Sequence, residues 1–118
     1  MLQQKRRLNE RINISLPTSY EAMGLNKKVF GNTISKDISE TGIKLILKEF
    51  YPPKTNFLLK ISLGDINKII ETIAQTIWSS NIQFSNIYHN GLHFIELNTK
   101  NKNLLSEYLT MTQLLNFK

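Results

Sequence analysis

The chain has no cysteine, and that absence removes a disulfide scaffold, a thiolate zinc site and cysteine nucleophilic catalysis together. No apolar run approaches the roughly 18 residues of a membrane-spanning helix, so no membrane span is expected. No apolar stretch follows the basic cluster Lys5-Arg6-Arg7, which excludes a secretory signal and points to the cytoplasm. Acid is in short supply: nine Asp and Glu face fifteen Lys and Arg, a net charge of +6. Arginine is absent after residue 11, and every later basic residue is lysine.

What is present is a chain of 118 residues, 41% hydrophobic and 20% charged, the size and composition of one globular domain. Its three arginines, Arg6, Arg7 and Arg11, all fall in the first eleven residues. Arginine is the planar, bidentate, permanently charged side chain suited to phosphate and guanine edges, whereas lysine is a solvated point charge. A generally basic surface would not need this sorting. The plain alternative is a solvated basic tail.

Beyond Arg11 the pattern is mostly of period two, the signature of strands with one buried face. Ile12, Ile14 and Leu16 alternate with polar neighbours, and residues 29–34 follow a turn at 23–28. Lys36 to Gly42 is expected to be a polar connection, Ile43, Leu45 and Leu47 a third strand, and Phe57, Leu59 and Ile61 a fourth. Tyr51-Pro52-Pro53-Lys54 breaks the chain between those two. Ile69 to Trp78 fits a helical stripe as well as a strand; its Cβ-branched content favours the strand. Asn90-Gly91 is a turn signal before a sixth strand at 91–97. Leu104, Leu105, Tyr108, Leu109, Thr112 and Leu115 share one helical face, with Asn98 or Thr99 as N-cap. The expected fold is all-β, a small antiparallel barrel or sandwich plugged by one helix at about 99–115. Trp78 and the phenylalanines at strand spacing are expected in its core.

Two short constellations carry chemistry. Arg7 and Arg11 form Arg-x-x-x-Arg ahead of a strand, and Asp37-Ile38-Ser39-Glu40-Thr41-Gly42 fits Asp-x-Ser-x-x-Gly. Each alone is a weak signal, the second being compatible with a simple Asx-type turn. His89 and His93 are poor metal ligands, since i and i+4 in a strand stand about 13 Å apart, and no metal or cofactor is expected. There is no nucleophile-elbow pattern to support hydrolysis, so the chain is expected not to be an enzyme.

Together, in this order and spacing, the two motifs resemble the PilZ domain, a family of bacterial receptors for the second messenger cyclic di-GMP. The resemblance extends through Ile77-Trp78-Ser79, similar to the family's Val-x-Trp-like strand, and through Tyr88-His89-Asn90-Gly91-Leu92-His93-Phe94, similar to its Tyr-x-x-Gly-(Val/Ile/Leu)-x-Phe strand. It implies a six-stranded antiparallel β-barrel with a C-terminal α-helix, which makes Ile69 to Trp78 a strand. It also implies a flexible arginine loop at 1–11 and the barrel with its helix at 12–118. Pro52-Pro53-Lys54 departs from the family's Pro-Gly turn, outside the ligand motifs.

The implied ligand residues are Arg6, Arg7, Arg11, Asp37, Ser39 and Gly42. Arg7 and Arg11 would clamp phosphate and reach guanine O6 and N7. Asp37 would accept from the guanine N1–H and N2–H edge and so select guanine. Ser39 would donate to phosphate or hold the loop, and Gly42 would allow close approach or a positive φ. Arg6 would add a stacking surface for an intercalated pair of ligands, against the reading as a solvated charge. Ligand binding would order the arginine loop and change what it presents to a protein effector. The rival readings are a basic barrel binding nucleic acid and a PilZ-like interaction module without ligand.

Overall fold

A computed structural model describes residues 11–24, 26 and 28–116. Six antiparallel strands close into a barrel in the order β1-β2-β3-β6-β5-β4. They are β1 (Pro17–Ala22), β2 (Val29–Ile38), β3 (Gly42–Leu47), β4 (Asn56–Leu63), β5 (Lys68–Asn81) and β6 (Tyr88–Glu96), followed by α1 (Thr99–Asn116). Among the described residues closure leaves no strand of the barrel unpaired on one side, because β1 pairs with both β2 and β4. The fold is the six-stranded barrel with a C-terminal helix that the sequence led us to expect.

The interior is filled from alternate positions: Ile43, Leu45 and Leu47 from β3, Phe57, Leu59, Ile61 and Leu63 from β4, and Ile70 and Ala74 from β5. Leu105, Tyr108 and Leu109 of α1 join the same buried cluster. The helix is started by Asn98, whose Oδ1 accepts from the Asn101 N–H at 2.8 Å, and tied to β5 by Asn101 Nδ2 donating to the Glu71 carbonyl at 3.0 Å. Its apolar stripe reaches the core only as far as Thr112; Leu115, expected on that face, is exposed.

Several boundaries differ from the sequence reading, each for a local reason. Residues 12–16 are extended, and burial alternates along them, but they lie outside the ladder. Ser35 holds one end of them, its Oγ accepting from Leu16 N–H at 2.8 Å and donating to the Ile14 carbonyl at 2.6 Å, and an isolated backbone bridge to Ile38 holds Ile12 at the other. β2 runs on through Lys36, Asp37 and Ile38, so the connection expected at 36–42 shrinks to Ser39–Thr41. Asn90-Gly91 is no turn. Both residues lie within β6, and the chain reverses over 82–87, where Ile82 N–H donates to the Ile87 carbonyl at 2.8 Å. The Pro52–Thr55 turn closes by Thr55 N–H on the Pro52 carbonyl at 3.3 Å, with Lys54 at φ 75° in the position glycine usually fills.

Candidate functional site

The site begins with a bridge. Ile12 and Ile38 exchange backbone hydrogen bonds of 2.9 and 3.0 Å, pinning the entering chain to the end of β2. Arg11 is thereby set beside Asp37, 26 residues away in sequence, and its Nε donates to Asp37 Oδ1 at 2.5 Å. From β3, Lys44 Nζ lies 3.3 Å from the other oxygen, Oδ2. Both ion pairs found among the described residues end on this one carboxylate, whose side chain is only 9% exposed. A carboxylate so covered holds two cations in place at the mouth of the barrel's outer face, where an anion could use them.

Ser39 and Gly42 build the loop next to it. Ser39 is fully buried, and its Oγ accepts from the N–H groups of Thr41 and Gly42, both at 3.2 Å. Of the two roles foreseen for Ser39, holding the loop is the one its hydrogen bonds perform here. Gly42 does not take a positive φ; its need is close approach. A Cβ there would stand 2.4 Å from the Leu92 carbonyl oxygen on β6, closer than any side chain tolerates. Arg11, Asp37, Ser39 and Gly42 are thus brought together at the β2–β3 turn. Arg6 and Arg7 lie outside the described residues.

Sequence reasoning missed two residues of this face. A cavity of about 190 Å³ is lined by Arg11, Asp37, Lys44, Ile77, Trp78, Gly91 and Leu92. Lys44 had no motif to mark it; the signal was its place two residues after Gly42, outward on a strand beginning at the loop. Trp78 was expected in the core, and the structure corrects this: it is 42% exposed. The cause is a β-bulge. The β5–β6 register shifts between Thr76 and Trp78, so Ile77 is the extra residue and Trp78, opposite Gly91, changes sides. The other phenylalanines divide as well: Phe57 is buried, whereas Phe30, Phe50 and Phe84 are exposed.

The electrostatics suit an anion. His89, on β6, has its pKa lowered from the ordinary imidazole value by burial first, then by Lys44 and Lys36, against a smaller opposing pull from Asp37. The larger hollow of about 520 Å³, between β4, β5 and β6, gathers Glu71 and Glu96 and no cation, the wrong lining for a phosphate. Among the described residues no group of His, Asp and Glu could hold a metal ion, and no helix is long and apolar enough to cross a membrane.

The PilZ domain family model matches residues 5–111, and the chain belongs to that family. No curated protein matches. Among solved structures it resembles the Bacillus subtilis inhibitor of motility MotI (DgrA), at 22% identity and TM-score 0.78, over 98% of this chain and 55% of that one. It resembles the PilZ domain of Escherichia coli YcgR, solved with c-di-GMP, at 18% identity and TM-score 0.64, over 97% and 99% of the two chains. A third is K. pneumonia MrkH in complex with c-di-GMP, at 15% identity and TM-score 0.67, over 98% and 56%. The chain therefore spans little more than half the length of MotI and MrkH.

Proposed function

We propose that the protein is a bacterial, cytoplasmic, non-enzymatic receptor for cyclic di-GMP. The observation that carries the reading is the convergence of Arg11 and Asp37, from two separate motifs, on one cation-lined cavity. Family membership and the c-di-GMP-bound relatives support the same ligand. In this reading Arg7 and Arg11 clamp the phosphates, Asp37 turns from Arg11 to the guanine N1–H and N2–H edge, and Arg6 offers a further guanidinium plane. Ser39 and Gly42 hold the loop against which the ligand rests. Binding draws the segment from Arg6 to Arg11 over the barrel face, and the altered N-terminus is what a protein effector reads.

Titration calorimetry of cyclic di-GMP at physiological salt tests this. The wild-type chain is expected to bind saturably. Arg11→Ala is expected to bind about 10- to 100-fold more weakly, the 1–3 kcal/mol of a bidentate arginine–guanine contact. A ligand-to-protein ratio near two would support the stacked pair and Arg6's part in it. Equal affinity in the variant would remove Arg11 from the site.

A further inference from the structure

We infer that the molecule self-associates by seating Phe84, at the tip of the β5–β6 hairpin, in the hollow between β4, β5 and β6 of a second copy. Neither feature belongs to the cyclic di-GMP site, so the inference stands apart from that reading.

The tip is a locked turn. Ser85 N–H and Oγ both donate to the Ile82 carbonyl, at 3.1 and 2.7 Å, and Ser85 Oγ accepts from Ile87 N–H at 3.1 Å. Asn81 Nδ2 donates to the Ser85 and Ile87 carbonyls at 3.0 and 3.3 Å. On this frame Phe84 is 95% exposed and takes φ 61°, the left-handed region that favours glycine and asparagine. Asparagine there would relieve the backbone and remove the exposed ring together. A turn that instead holds a phenylalanine in that conformation, in water, presents an anchor to another surface.

The hollow lies at the other end of the same hairpin. β5 and β6 pair from Asn81 and Tyr88, beside the turn, to Ile73 and Glu96, and there the register shifts and leaves Ile95 as an extra residue, 40% exposed. With Leu58, Ile73 and Leu97 it walls the hollow of about 520 Å³, room for a phenyl ring and the aliphatic chain of Ile87 beside it. Eight residues of strand put tip and hollow about 26 Å apart. Phe84 therefore reaches the hollow of another molecule, not its own, and the contact joins two different patches.

Charge fits the same pairing. The hollow holds Glu71 and Glu96 and no cation, on a molecule of net charge +6. Residues 81–88 are uncharged, and Leu47, which pairs with Tyr88, is followed by the exposed Lys48. The tip thus brings a ring, an aliphatic neighbour and a cation to aliphatic walls rimmed by two carboxylates.

Sedimentation equilibrium at physiological salt, without cyclic di-GMP, tests this over a concentration series. The contact is small, so association is expected toward the top of a series reaching about 1 mM. Amide shifts of the ¹⁵N-labelled wild type over that series are expected to move together at 81–88 and at Glu71, Ile73 and 95–98. Phe84→Asn is expected to associate about 10- to 100-fold more weakly, with a melting temperature at or above the wild type's. Ile95→Asp, which sets a charge in the hollow at an exposed position, is expected to weaken association likewise. Mixing the two folded variants should restore it, since the intact tip of one meets the intact hollow of the other. A wild type that stays monomeric with unmoved shifts would overturn the inference. So would undiminished association in both variants, shifts confined to other faces, or a mixture of folded variants that stays monomeric. None of these results bears on the receptor reading, which the calorimetry with cyclic di-GMP tests separately.

Discussion

Truncating Phe57 to alanine is expected to cost about 3–5 kcal/mol of stability, a large share of the 5–15 kcal/mol that holds a domain folded. Phe57 is fully buried on β4 and lies edge-on to two tyrosines, with ring centroids 4.9 Å from Tyr51 and 6.1 Å from Tyr20. Its removal leaves a cavity between strands whose backbones are fixed by pairing on both sides, β1 on one and β5 on the other. The site can collapse little, so the loss should sit at the upper end of the range. Urea unfolding followed by circular dichroism measures it: a lower midpoint with an unchanged slope is expected. A variant as stable as the wild type would mean that the barrel is not packed around Phe57.

The second large effect falls on Asp37. Asp37→Asn keeps shape and volume but replaces one of two acceptors by a donor, so the guanine edge, which presents two donors, loses a partner and meets a repulsive N–H. Cyclic di-GMP affinity is expected to fall about 100-fold, the 1.5–3 kcal/mol of a charge-assisted hydrogen bond near its upper value. The adenine-bearing analogue cyclic di-AMP offers a donor and an acceptor, which suit an amide, so the preference for guanine should narrow more than overall affinity falls. Stability should change little, because Arg11, the carboxylate's closer partner, is 44% exposed and remains solvated when the pair is gone. Competition titrations with the two cyclic dinucleotides read the ratio. An undiminished guanine preference in Asp37→Asn would assign base selection elsewhere.

The parts of this molecule that were legible in its sequence are those set by a regular period. Alternation found β3 and β4, and the branched residues between Ile69 and Trp78 disclosed β5 once the family resemblance had removed the helical alternative. What escaped was irregular. The hydroxyl of Ser35 and a lone backbone bridge from Ile12 to Ile38, rather than a full ladder, hold residues 12–16, and no pattern of apolar residues encodes that. The bulge at Ile77 inverts the parity of β5, so a strict count of two places Trp78 inside when it stands outside. Gly91 looked like a turn because Asn-Gly so often is one; here its missing side chain is occupied by an indole from the neighbouring strand.

The site divides along the same line. Asp37, Ser39 and Gly42 were readable because a tight turn with a buried hydroxyl and a close backbone approach compresses its requirements into six consecutive residues. Arg11 was readable from the sorting of arginine to one end of the chain. Lys44 and Trp78 come to the cavity through strand register, 34 residues apart in sequence, and register is a property of the closed barrel rather than of any segment.

The central claim, that the face formed by Arg11, the 37–42 turn and the β3–β6 strands takes a cyclic dinucleotide, is tested most directly by amide chemical-shift mapping of the ¹⁵N-labelled protein during titration with cyclic di-GMP. The expected result is saturable shifts concentrated at Arg11, Asp37 to Lys44, Trp78 with its indole N–H, and Gly91, with the outer face of β1 and β4 unmoved. Shifts confined to the outer face of β1 and β4, or none at saturating ligand, would contradict it.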